Sequence, residues 1–167
     1  MIKSASSIDL IEMTVETAQA GFASGAFTAE TLTQAYLDRI AKWNPHYNAI
    51  IFMNPAALVT AREIDRRRAA GEALAPLAGV PVVVKDTMDM VGFPSTGRWS
   101  LLYSGKGGID LMPPTDSPVV TRVKAAAAVI LGKTNVPSSV HPAVTPTTPG
   151  PGGGSNECSD CCHPHGA

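Results

Sequence analysis

The sequence predicts an α/β fold with a mainly parallel sheet, because helical patterns alternate with short apolar runs along the chain. One run, residues 79–86, places a proline and four valines before Lys85 and Asp86. That composition favours an extended strand that is buried on both faces. A second run, Val129-Ile130-Leu131, follows a helical segment and has the same character. The two runs are the expected centre of the sheet.

Capping and breaking residues define the first half of the chain. Apolar residues at helical spacing predict a first helix over residues 7–23. Thr28 caps a second helix, which we expect to end at Asn44-Pro45 because the residue before a proline avoids the α region. A short strand follows at 48–53, and a third helix then runs from Pro55 to about residue 70.

The second half follows the same logic with longer loops. The strand that ends at Lys85 leads into a glycine-rich stretch over residues 88–114. Asp116 or Ser117 caps a fourth helix, which runs into the apolar strand at 129–131. Residues 132–135 are predicted to form a turn. Its Gly132-Lys133-Thr134 sequence lacks the upstream glycine of a phosphate-binding loop, because position 127 is alanine.

Composition restricts the class of protein. The chain has 167 residues, 44% of them hydrophobic, and a net charge of −1, which predicts an ordinary globular domain with its own core. No basic stripe is present, so we expect no nucleic-acid partner. No apolar run approaches the roughly 18 residues that cross a bilayer, and the N-terminus lacks the apolar core of a signal peptide. These features predict a cytoplasmic protein without membrane association.

Lys85 is the main candidate functional residue. Parallel strands of open α/β sheets deliver side chains to their carboxyl ends, where ligands usually bind. A lysine in an apolar setting can lose its proton and act as a base, because desolvation disfavours the ammonium form. The alternative is a strand-end lysine whose ammonium group reaches solvent, and composition alone favours that alternative.

Four motifs in order resemble the amidase signature family. The resemblance spans roughly residues 5–136, and Ala127 stands where the family usually has glycine. The motifs are Leu77-Ala78-Gly79-Val80-Pro81-Val82-Val83-Val84-Lys85-Asp86, Gly92-Phe93-Pro94-Ser95-Thr96, Asp116-Ser117-Pro118-Val119-Val120-Thr121-Arg122-Val123 and Val129-Ile130-Leu131-Gly132-Lys133-Thr134-Asn135. The resemblance implies the N-terminal portion of the amidase-signature mixed sheet, flanked by helices.

The resemblance also implies a reaction. The family cleaves or transfers amide bonds with a serine nucleophile, a second serine in a cis peptide and a lysine, and it needs no metal or organic cofactor. Lys85 matches the lysine. Ser155 is the candidate for the bridging serine, although Asn156-Glu157-Cys158 replaces the Ser-Gly-Gly that follows it in the family. No position matches the nucleophile, so we expect a small-molecule amide as substrate but little or no turnover by this chain.

The character of the sequence changes after residue 136. Residues 136–167 contain six prolines and five glycines but no Leu, Ile, Met or aromatic residue. Such a segment buries too little apolar surface to offset its ordering entropy. We therefore predict a partial amidase-like domain at 1–136 and a disordered tail at 137–167. A reading-frame shift after about residue 136 would produce this change, and a newly evolved tail is the alternative.

Two other functions remain open at this point. One lies within the family, a fragment similar to the A subunit of a glutamyl-tRNA amidotransferase. The other is a non-enzymatic metal-binding or interaction protein, in which Cys158-x-x-Cys161-Cys162-His163-x-His165 supplies ligands. The metal reading is the less favoured, because no second ligand pair lies a dozen residues away. Strand edges at 80–85 and 129–131 further predict self-association.

Overall fold

A computed structural model describes residues 4–136 of the chain. The predicted segment 137–167, with Ser155 and the cysteine–histidine cluster, lies outside these described residues. Within them the α/β class is confirmed. The elements in chain order are α1 (Val15–Ala23), α2 (Ala29–Tyr47), β1 (Ile50–Met53), α3 (Ala57–Ala69), β2 (Pro81–Lys85), α4 (Pro118–Ala125) and β3 (Val129–Thr134), with short 3₁₀ turns at Ala5–Ser7, Ser100–Leu102 and Ser104–Lys106.

The first helix is shorter than its apolar pattern predicts. It begins at Val15, where the Thr14 side chain accepts a hydrogen bond from the Thr17 backbone N–H at 3.1 Å. Upstream, Glu12 has a φ of 54°, which a right-handed helix cannot contain. Ile8 is buried without being helical and Leu10 and Met13 pack against the same core, whereas Ile11 is exposed, so the helical spacing in this segment does not mark one buried face.

The second helix is longer than predicted, because it continues through Pro45 to Tyr47. Pro45 lies in the last turn, where its missing N–H costs a single hydrogen bond. The Asn44 side chain compensates by bonding both the N–H and the carbonyl of Ile50, at 2.8 and 2.9 Å. Asn48 then ends the helix in the left-handed conformation, with φ 47°.

The sheet is mixed and has three strands in the order β1-β3-β2. The last strand in the chain, β3, lies in the centre, antiparallel to β1 and parallel to β2. The prediction of an exposed strand edge at 129–131 is therefore wrong. Among the described residues each of the outer strands, β1 and β2, has only β3 as its strand neighbour.

Close contact between the backbones of β1 and β3 requires glycine in the central strand. A Cβ atom on Gly132 would overlap the carbonyl oxygen of Phe52 in β1. The glycine of the Gly132-Lys133-Thr134 sequence therefore serves strand packing, and β3 continues through this sequence rather than ending in the predicted turn. This extension by three residues determines where Lys133 lies.

The link from α4 to β3 places an alanine in a conformation that glycine prefers. The N–H of Ala127 bonds the Lys124 carbonyl at 2.9 Å, and the N–H of Ala128 reaches the Val123 carbonyl at 3.3 Å. These two bonds form a Schellman motif, whose left-handed residue is usually glycine. Here Ala127 occupies it with φ 59°.

We expect Ala127→Gly to stabilise the protein by about 0.5–1 kcal/mol, because it removes the left-handed penalty on a Cβ-bearing residue. Urea unfolding measures the difference. The matched control is Ala125→Gly, two residues earlier and exposed in α4. That variant should lose up to about 1 kcal/mol through lower helix propensity. Equal losses in the two variants would contradict the strain argument.

Candidate functional site

Lys85 lies at the carboxyl end of β2, as the sequence predicts. Its side chain is half-buried, and its Nζ donates a hydrogen bond to the Asn135 carbonyl oxygen at 2.7 Å. Asn135 directly follows β3, so the contact joins the carboxyl ends of two parallel strands. The amine is therefore directed along the end of the sheet rather than freely into solvent.

Asn135 is itself tied to the other edge of the sheet. Its backbone N–H bonds the Ala49 carbonyl at 2.8 Å, and its side-chain amide donates to the Asn48 carbonyl at 3.0 Å. Both partners immediately precede β1. The carbonyl that receives the Lys85 amine is thus anchored to all three strands, which gives the amine a rigid acceptor.

A second lysine, Lys133, is completely buried one residue before the end of β3. Its Nζ lies 3.4 Å from a carboxylate oxygen of Asp86, and both side chains have 0% exposure. The amine also donates to the Pro94 carbonyl at 2.6 Å and to the Ser95 hydroxyl at 3.1 Å. These three acceptors compensate the buried charge.

The loop after β2 completes the polar cluster. Asp86 accepts hydrogen bonds from the Thr96 hydroxyl at 2.7 Å and from its backbone N–H at 3.3 Å. The Ser95 hydroxyl donates to Asp89 at 2.7 Å. Ser95 and Thr96 therefore fix the loop by hydrogen bonding. The Asp86 carboxylate is buried at the carboxyl end of β2.

Lys133 is a site residue that was not predicted, because the sequence pattern indicated a turn at this position. Register explains the result: Val84 pairs with Lys133, and Lys85 pairs with Thr134. Counting from the Pro81–Val129 pair without an irregularity would place Lys133 opposite Lys85. A register shift between Val82 and Val83 instead places it opposite Val84, on the side of the sheet where it meets Asp86. The sequence carries no signal for that shift.

Burial lowers the pKa of the Lys133 amine below its usual 10.5, because desolvation disfavours the ammonium form. The carboxylates of Asp86 and Asp89 act in the opposite direction and favour the charged form. Desolvation is the largest of these effects, so the amine holds its proton less firmly in the folded protein than in the unfolded chain.

An apolar groove of about 620 Å³ lies between α2 and the sheet, away from these polar groups. Its walls include Tyr36 and Trp43 from the helix and Val82 and Val83 from β2. Lys85 does not line it. The groove therefore contributes no part of the polar site at the end of the sheet.

Residues 4–136 contain neither a metal-binding cluster nor a membrane-spanning helix. No group of three or more His, Cys, Asp or Glu side chains in that range could hold a metal ion. No helix there is long and apolar enough to cross a membrane. Ser155 and the cysteine–histidine cluster lie outside that range, so their predicted roles stay predictions.

Comparison with known proteins identifies the family. The chain belongs to the Amidase family, whose model matches residues 31–152. The family resemblance expected from the four motifs is thereby confirmed.

Similar sequences include the A subunit of glutamyl-tRNA(Gln) amidotransferase from Salinispora tropica. It is 45% identical over 115 residues, covering 68% of this chain and 22% of that protein. The corresponding protein from Renibacterium salmoninarum is 40% identical over 146 residues, covering 83% and 27%. The chain therefore spans about a quarter of the length of these relatives.

Solved structures with the same fold include peptide amidase from Stenotrophomonas maltophilia. It is 35% identical with a TM-score of 0.66, and the match covers 75% of this chain and 25% of that one. A bacterial aryl acylamidase of the amidase signature family is 27% identical with a TM-score of 0.61, covering 81% and 25%. The described residues thus fold as the corresponding quarter of amidase-signature enzymes.

The lowered pKa of Lys133 has a measurable consequence. Between that pKa and 10.5 the unfolded chain binds a proton that the folded protein does not, so stability rises with pH in that window. As the pH rises towards 10.5 we expect the free energy of unfolding to rise, by at most about 1.4 kcal/mol per pH unit from this residue. The measurement is urea unfolding at several pH values.

The matched variant for this experiment is the double substitution Asp86→Asn/Lys133→Met, which removes both buried charges and should lose the rise. Lys124→Met, an exposed lysine in α4, is the control and should keep the wild-type slope. A wild-type slope in the double variant would show that Lys133 is not the titrating group.

Proposed function

We propose that the chain carries the lysine of an amidase-type site that hydrolyses carboxamide C–N bonds through a Ser–cis-Ser–Lys mechanism. Lys85 is the base. The observation that supports this role is its position: a half-buried amine at the carboxyl end of a parallel strand, 2.7 Å from the Asn135 carbonyl. Membership of the Amidase family supports the reaction class.

The contact with Asn135 suits a base. A carbonyl oxygen only accepts hydrogen bonds, so the amine donates an N–H to it. When the amine is uncharged, its lone pair remains available on another side of the nitrogen. Asn135 then orients the lone pair without consuming it, which is what a general base requires.

The proton would move in two relays. The bridging serine, for which Ser155 is the candidate, takes the proton of the nucleophilic serine and passes its own to Lys85. The nucleophile attacks the amide carbon, and backbone N–H groups of a glycine-rich loop stabilise the oxyanion. The proton returns through the bridging serine to the leaving nitrogen as the C–N bond breaks, and water then hydrolyses the acyl-enzyme.

The 167 residues offer no position for the nucleophile in this scheme. We therefore predict that this polypeptide alone has little or no amidase activity. We also propose that the protein is cytoplasmic. The scheme uses no metal or organic cofactor.

A chimera tests the role of Lys85 directly. Residues 31–136 replace the matching segment of the Stenotrophomonas maltophilia peptide amidase, which is 35% identical to this chain in the shared region. We expect the chimera to hydrolyse peptide amides and Lys85→Met to reduce its kcat by at least about 10²-fold, as loss of a general base does. Ammonia release measures the rate.

Lys42→Met is the matched control, because Lys42 is an exposed lysine of α2 outside the site. It should leave the chimera at its starting rate. Full activity in the Lys85→Met chimera would refute the proposed base. Turnover by the 167-residue chain alone, abolished by Lys85→Met, would refute the predicted inactivity while supporting the lysine.

A second candidate is a role within an amidotransferase complex. The observation in its favour is sequence similarity. Relatives named as the A subunit of glutamyl-tRNA(Gln) amidotransferase are 39–45% identical in sequence to this chain over the matched residues. We propose on this basis that the chain can associate with further subunits. Co-purification of such subunits with the tagged chain would support this candidate, and a chain that purifies alone under the same conditions would count against it.

A further inference from the structure

We propose that the buried pair formed by Asp86 and Lys133 is a positioning pair, which holds residues 94–96 on the sheet and thereby fixes the direction of the Lys85 side chain. The inference deepens the proposed function and rests on it, because it assigns Lys133 a purpose through Lys85. Lys133 does not reach the reacting atoms in this proposal.

The pair is not explained by stability alone. Two charges that are removed completely from water lose more hydration than their attraction commonly restores, and apolar replacements are often as stable. Asp86 and Lys133 are both fully buried at 3.4 Å. A buried ion pair can instead select one conformation over its alternatives. The contacts of this pair indicate that the selected conformation is that of the loop over residues 94–96.

Three consecutive loop residues are bonded to the pair. Lys133 binds the Pro94 carbonyl and the Ser95 hydroxyl, and Asp86 binds Thr96 through both its hydroxyl and its N–H. The loop therefore meets the sheet end through one charged group from each of two parallel strands. Removal of the pair removes four of the hydrogen bonds between this loop and the sheet.

The same pair determines where Lys85 points. Successive side chains of a strand project to opposite faces, so Val84 and Lys133, which are paired, share one face and Lys85 projects from the other. Asp86 directly follows β2 and meets Lys133 on the first of these faces. The Asp86 N–H continues the ladder by bonding the Thr134 carbonyl at 3.1 Å. The next carbonyl along, that of Asn135, receives the Lys85 amine. The backbone register at Asp86 therefore places the Lys85 amine within hydrogen-bonding distance of the Asn135 carbonyl.

The test measures Lys85 itself rather than activity. The probe is the N-hydroxysuccinimide ester of acetic acid, and peptide mass spectrometry gives the acetylation rate of Lys85 relative to Lys42, an exposed lysine of α2. In the double variant Asp86→Asn/Lys133→Met we expect this ratio to rise by about threefold to tenfold, the equivalent of one lost hydrogen bond. A higher acetylation ratio would show that the Lys85 amine is no longer held by the Asn135 carbonyl.

The matched control removes another Asp–Lys pair. Asp116→Asn/Lys124→Met deletes a 2.6 Å ion pair at α4 in which the lysine is exposed. Its Lys85-to-Lys42 ratio should equal that of the wild type. Circular dichroism and thermal melting establish that every variant is folded at the temperature of the reaction, so unfolding does not mimic release.

An unchanged ratio in the folded double variant would overturn the proposal. If that variant does not fold, Thr96→Val takes its place, because it removes one hydrogen bond to Asp86 and leaves both charges paired. A rise in the ratio then supports positioning, and an unchanged ratio refutes it. These results are independent of the chimera, whose failure would refute Lys85 as the base and leave the acetylation ratios as measured.

Discussion

The buried ion pair between Asp86 and Lys133 is the constraint on which the end of the sheet depends. Lys133 lies in β3 and Asp86 directly follows β2, and between them they bond the Pro94 carbonyl and the hydroxyls of Ser95 and Thr96. Removing one partner of such a pair typically costs about 3–5 kcal/mol, because the other charge is left unpaired. The loop and the strands therefore form one unit.

The central position of β3 makes that pair possible. A strand at the edge of the sheet would expose its side chains at the rim, whereas β3 has a neighbour on each side and is buried along most of its length. Gly132 permits the close approach of β1, since any side chain there would meet the Phe52 carbonyl. The neighbouring Lys133 side chain is fully buried, with Pro94 and Ser95 over its amine, and must find its acceptors inside the protein.

Two lysines at neighbouring rungs of one ladder have different environments for this reason. Lys133 points into the interior and contacts three acceptors, while Lys85 points to the opposite face, where it is half-buried and contacts one carbonyl. In the proposed function Lys85 exchanges a proton with the bridging serine and needs the accessible position, whereas Lys133 in its proposed positioning role can occupy the closed one. The alternation of side chains along a strand separates these two proposed roles.

Local sequence determined the order of helices and strands, the caps at Thr28 and Ser117, and Lys85 at a strand end, because these features depend on residues within a few positions of one another. The start of α1 and the passage of α2 through Pro45 were mispredicted, since residues 8–14 are not helical and Asn44 bonds Ile50 across a turn. Only the tertiary structure decided that β3 is central, that it extends to Thr134 and that Lys133 is buried. Those outcomes depend on pairing with strands that lie some 50 and 80 residues earlier, and no local pattern specifies such partners.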